Sequence, residues 1–148
     1  MANVAPSAFG WEGVSQRLRA QEPSFYELEP GGALALPLHE EGWMLELTPD
    51  GQLICQTGMD IDDLKALLSE GTCEDLGTDE IAKQAKALMN RTVSRYRPIL
   101  VREGFEERTE MNDQYVAVLF TLPIATADVD QVLHRVQWCR QQFAPAGG

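Results

Sequence analysis

The sequence predicts an α+β fold: a single domain in which an antiparallel sheet, a meander followed by a C-terminal hairpin, is covered by helices. Three observations carry this. Four short strand-like runs between Phe25 and Thr57 are separated by compact turn signals. Two stretches, Ile81 to Leu100 and Val129 to Phe143, hold apolar residues at helical spacing. Tyr115 to Leu122 is apolar at successive positions, as in a strand buried on both faces at the centre of a sheet.

Residues 1–10 and 144–148 are small, polar or Pro- and Gly-containing, and are expected to be loose tails around a domain over 11–143. A short helix is expected from Trp11 to Ala20, with Trp11, Val14 and Leu18 on one stripe. Strands Phe25 to Glu29, Ala33 to Leu38, Trp43 to Leu47 and Leu53 to Thr57 follow. Pro30-Gly31-Gly32, Glu40-Glu41-Gly42 and Thr48-Pro49-Asp50-Gly51 separate them. The last is the strongest turn signal, because Pro presets φ and Gly accepts the left-handed conformation. Pro37 cannot donate to a ladder, which places its strand at an edge or Pro37 at the strand's end.

Asp60 is the expected N-cap of a helix through Leu68 that Gly71 closes, with Ile61, Leu64, Leu67 and Leu68 on one face. Thr78 caps the longest helix, whose first turn carries Asp79 and Glu80, suited to the helix dipole. The spacing of Ile81, Ala85, Leu88, Met89, Tyr96, Ile99 and Leu100 persists across Pro98, so one kinked helix ending near Gly104 is expected. Strands Phe105 to Met111 and Tyr115 to Leu122 meet at Asn112-Asp113, the first turning Glu106, Arg108 and Glu110 to solvent. A final helix from Ala127 to Phe143, capped by Thr126, faces the core with Val129, Val132, Leu133, Val136, Cys139 and Phe143. His134 and Trp138, four residues apart, project from the opposite side and mark a candidate interface.

Charge is unevenly distributed. Residues 22–80 carry fifteen acids against Lys65 alone, whereas 81–108 carry seven bases against Glu103, Glu106 and Glu107. The two portions are expected to pair within the fold. On the long helix, Lys83, Lys86 and Arg97 border one edge of the apolar face and Arg91, Arg95 and Arg102 the other; Arg91, Arg95 and Arg97 are the candidate basic contacts. The net charge of −11 disfavours nucleic-acid phosphates and anionic membranes as partners.

Composition, 44% hydrophobic and 24% charged, is that of a globular chain able to bury its own core. Cys55, Cys73 and Cys139 are odd in number and show no C-x-x-C spacing, so reduced thiols are expected. The N-terminus shows no basic-then-apolar leader pattern, and no apolar run approaches roughly 18 residues. A cytoplasmic location is therefore expected. Asn90-Arg91-Thr92 falls inside a helix and is read as a chance match to a glycosylation acceptor.

With only His39 and His134, a His-based nucleophile pair or metal site has few ways to form. His39-Glu40-Glu41 alternates sides of an extended chain and cannot converge on one ion. Asp60, Asp62 and Asp63 begin like a calcium loop but lack its sixth-position Gly and terminal Glu. No phosphate-cradling glycine motif or nucleophile elbow occurs. No catalytic, cofactor-binding or metal-ligating residue and no cofactor is therefore expected.

The order helix, antiparallel strands, helices, two strands, helix resembles the class I type III secretion chaperones and the related YbjN-like domains. The nearest local likeness is Tyr115 to Trp138, where an apolar strand ends in Leu122-Pro123 before an Asp-containing helix start. This resemblance implies a non-enzymatic cytoplasmic homodimer that holds an extended segment of another protein. A protein-interaction module, chaperone or adaptor, is the leading expectation. An acidic inhibitor imitating nucleic acid and a small-molecule enzyme assembled from distant residues are the alternatives.

Overall fold

The computed structural model describes residues 6–38, 42–69, 78–124 and 128–143. In chain order the elements are α1 (Pro6–Gln21), β1 (Tyr26–Glu27), β2 (Leu34–Pro37), β3 (Trp43–Leu47), β4 (Gln52–Asp60), α2 (Ile61–Ser69), α3 (Thr78–Val93), α4 (Arg97–Glu103), β5 (Glu106–Met111), β6 (Tyr115–Pro123) and α5 (Val129–Gln142). The strands form an antiparallel sheet in the order β1-β2-β3-β4-β6-β5. The fold is α+β, a meander followed by a hairpin that enters with its second strand beside β4. Two compact units divide the chain: Met1–Cys55 with Thr121–Gly148, and Gln56–Phe120.

In the first unit, Trp11, Val14 and Leu18 form the buried stripe of α1, and Leu34, Ala35 and Leu36 are buried in succession on β2. Trp43, Leu45 and Leu47 alternate with half-buried Met44 and Glu46 on β3. The register pairs Leu36 with Leu45 and Leu34 with Leu47. Helices α1 and α5 pack together, and Trp43 meets Phe143 with ring centroids 4.7 Å apart. Pro37 ends β2, where a missing N–H costs least. The Thr48–Gly51 turn forms as its residues dictate. Gly51 has φ of 90°, and its carbonyl accepts from the Ile124 N–H at 2.8 Å. A Cβ at Gly51 would stand 2.8 Å from the Ile124 oxygen, so glycine is required twice over.

In the second unit, α3 buries Ile81, Ala85, Met89 and Val93, one residue per turn. The expected kinked helix is two helices. Residues 94–96 interrupt it, and α4 starts with Tyr96 as its N-cap residue and Pro98 in its first turn. In a continuous helix the carbonyl of Ser94 would meet the Pro98 ring, which also lacks the N–H to satisfy it. A fresh start places that missing N–H among donors unpaired in any helix. Gly104, φ 115°, closes α4 through its N–H to the Val101 carbonyl at 3.1 Å.

Four further boundaries differ from expectation. α1 begins at Pro6, within the segment expected to be a tail. β1 keeps only Tyr26–Glu27 of its expected run. β4 continues through Asp60, which precedes α2 directly. α5 starts at Val129 with Asp128 as its cap, the carboxylate accepting from the Gln131 N–H at 3.1 Å, whereas Thr126 lies outside the described residues. Gly71 and His39-Glu40-Glu41 also lie outside them. β6 buries Val118, Leu119 and Phe120, hence both faces, but stands one place in from the edge rather than at the sheet's centre.

Candidate functional site

Helix α1 places Trp11, Ser15 and Arg19 in one row, four residues apart, beside the row Glu12 and Gln16. Opposite stand Glu27 of β1 and Gly31 of the β1–β2 turn. Together these seven line a cleft of about 410 Å³ in the first unit. The turn is held against α1 by the Trp11 indole Nε1–H, which donates to the Gly32 carbonyl at 3.1 Å. Glu27 ties both walls: one carboxylate oxygen meets Arg19 Nη1 at 3.3 Å and the other accepts from the Gly31 N–H at 2.8 Å.

Two polar atoms of this cleft are left over. Ser15, 4% exposed, sits within the apolar stripe between Val14 and Leu18. Its Oγ and the Arg19 Nε are buried without a hydrogen-bond partner. Buried donors are nearly always paired in folded chains, so two orphans in one cleft are a specific feature. With Glu27 engaged by Arg19 and Gly31, nothing in this set assembles a nucleophile and base; the arrangement is suited to holding hydrogen-bonding groups.

A second cleft, about 390 Å³, lies in the second unit between Lys86, Met89, Asn90, Arg97, Glu107, Thr109 and Val118. Arg97 and Glu107 close part of it with two parallel bonds, Nε to Oε1 at 2.7 Å and Nη2 to Oε2 at 2.9 Å. The hydrogen bonds that Arg97 donates to Glu107 raise the Arg97 pKa above its ordinary value, so the guanidinium is charged throughout the working range. The fork engages Arg97 Nε and Nη2 and both carboxylate oxygens of Glu107.

The sequence-expected residues are dispersed. Arg97 lines the second cleft with Lys86, its expected neighbour along the helix edge. Arg91 and Arg95 are exposed, and Arg95 stacks over the Tyr96 ring at 5.4 Å. His134 is exposed on α5, whereas Trp138 is half-buried with its carbonyl accepting from Gln142 Nε2 at 3.3 Å. Neither is among the residues lining these two clefts. Among the described residues Glu22 pairs with Arg140 and Glu27 with Arg19, while Arg97 and Arg108 pair locally with Glu107 and Glu110. Among the described residues no three His, Cys, Asp or Glu side chains converge on a metal position.

Sequence reasoning missed the first cleft. Its one available signal was Ser15, a polar residue in an apolar stripe; the facing Glu27 and Gly31 come from a different element. The chain matches no protein-family model, and neither a curated protein nor a solved structure is significantly similar to it.

Proposed function

We propose that this protein is a non-enzymatic interaction module that holds an extended segment of another protein, as a chaperone or adaptor does. The observation that carries this reading is the edge of the first unit. β1 ends the sheet order, is two residues long, and carries exposed Tyr26 at 44%, with Leu28, 48% exposed, directly after it. Residues two apart on an extended chain share a side, and an open strand edge offers main-chain groups for an added strand. The cleft between α1 and the β1–β2 turn adjoins it through Glu27. The resemblance in element order to secretion chaperones supports the same reading, and with it a cytoplasmic homodimer.

The segment held is neutral or basic, because a chain of net charge −11 repels an acidic one. An array of immobilised 15-residue peptides of varied charge, probed with the purified protein, followed by fluorescence anisotropy on the strongest binder, tests the proposal. Tyr26→Ser with Leu28→Ser should weaken that binding about tenfold, corresponding to about 1.4 kcal/mol. No binding at about 100 μM, or affinity indifferent to both substitutions, overturns it. An acidic inhibitor would instead ignore β1 and use exposed carboxylates such as Asp62, Asp63, Asp79 and Glu80. Its binding to a basic protein would collapse as salt rises.

A further inference from the structure

We infer that the cleft between α1 and the β1–β2 turn is a peptide subsite in which Ser15 Oγ and Arg19 Nε donate to a main-chain carbonyl of the bound segment. This rests on the proposed function and names the place and chemistry of its recognition. Both unpartnered donors belong to one helix face, four residues apart, and both line the same 410 Å³ cleft. What such a pair lacks is an acceptor.

The acceptor is a neutral carbonyl rather than a carboxylate. Arg19 already carries Glu27 on Nη1, and Glu12 adds a second carboxylate to the lining. An incoming anion would therefore meet two acids for one base in a molecule that is already strongly negative. A lysine beside the bound carbonyl would instead find Glu12 and Glu27 within its surroundings. The lining thus favours an amide flanked by a basic side chain.

Access requires Arg19 to swing, because Ser15 Oγ and Arg19 Nε are covered in the unbound chain. The restraint on that motion is slight. The Arg19 to Glu27 bridge is 3.3 Å long, and its side chains keep 37% and 30% of their surface exposed, the kind of pair that contributes little to stability. Glu27 remains tied to Gly31 while Arg19 turns to the ligand.

Titration of ¹⁵N-labelled protein with acetyl-Ala-Lys-Ala-Lys-Ala-amide tests this by NMR. Among the three tryptophan indoles, that of Trp11 should shift saturably, with the Gly31 and Gly32 amides. Ser15→Ala should weaken the peptide about tenfold, the worth of one hydrogen bond to a buried donor. It should also raise the melting temperature, because it removes a hydroxyl unsatisfied in the free protein. Arg19→Lys, which keeps the charge but loses Nε, should weaken binding comparably. No shift at Trp11, tighter binding of sodium acetate or of the matching Glu peptide, or Ser15→Ala with unchanged affinity overturns the assignment. If Ser15→Ala leaves binding to the array peptide intact, the cleft assignment fails and the function stands; if wild type binds no array peptide, the function itself fails.

Discussion

The sulfurs of Cys55 and Cys139 lie 3.7 Å apart in the core of the first unit, both fully buried. The Cys55 thiol donates to the Cys139 sulfur, and this bond, with burial, holds its pKa well above the ordinary 9.0. The folded chain thus keeps the Cys55 proton after the unfolded chain has released it. Below pH 9 both states carry the proton and stability is unaffected. As pH rises beyond 9 the unfolded state gains, by about 1.4 kcal/mol per pH unit. Urea midpoints measured from pH 8 to 10.5 should fall more steeply for wild type than for Cys55→Ala; parallel slopes would refute this. Three arginines that look equivalent in sequence differ as sharply. Arg97→Gln breaks a two-bond fork with Glu107 and should cost about 0.5–1 kcal/mol, whereas Arg91→Gln and Arg95→Gln, both exposed, should stay within about 0.5 kcal/mol of wild type. Chemical denaturation of the three single variants checks the ranking.

Element boundaries follow from local chemistry wherever a single residue imposes a veto. Asp128 caps α5 through the Gln131 N–H, and Asp128→Ala should lose about 1 kcal/mol, measurable as a lower urea midpoint with an unchanged m-value. Thr126 was the expected cap because Ser and Thr caps are common; the helix begins two residues later, on the carboxylate. β6 gives the second unit four buried residues, Val116, Val118, Leu119 and Phe120. Val118→Asp would bury an unpaired carboxylate at a cost of several kcal/mol, a large share of the ~5–15 kcal/mol that holds a domain. Far-ultraviolet circular dichroism should find no cooperative melt. β5, by contrast, alternates charge along an exposed edge, with Glu106 and Arg108 outward, a pattern that discourages uncontrolled strand addition.

For the whole molecule, the open question is self-association. The expected anchor, Trp138, keeps only part of its surface exposed, which reduces what it can contribute below the ~2 kcal/mol of a strong interface residue. A two-fold dimer through the His134 and Trp138 side of α5 should therefore be weak, appearing only in the upper micromolar range. Light scattering across a concentration series should find a rising mass that Trp138→Ala reverses. A constant monomer mass rules out the dimer, and an unchanged mutant dimer removes Trp138 as its anchor.

The sequence by itself determined what is local. Trp43 to Leu47 is a strand residue for residue, the Thr48–Gly51 turn forms, and α5 buries Val129, Val132, Val136 and Cys139, with Phe143 just past its end, as their spacing requires, whereas Leu133 is only half-buried. Turn chemistry and amphipathic periodicity act over a few residues, so composition and spacing carry them. The helix break was half legible: Pro98 announced a disturbance, but burial of Tyr96 and Leu100 is compatible with either a kink or a restart. Only the tertiary structure decided which charges pair, that β6 lies beside β4, and that α1 meets the β1–β2 turn. These depend on contacts between residues far apart in sequence, where many partners of equal charge and polarity compete. Glu27 could have paired with any of the twelve Lys and Arg residues; packing of Trp11 against Gly32 brings it to Arg19, above a serine and a guanidinium nitrogen that no neighbour satisfies.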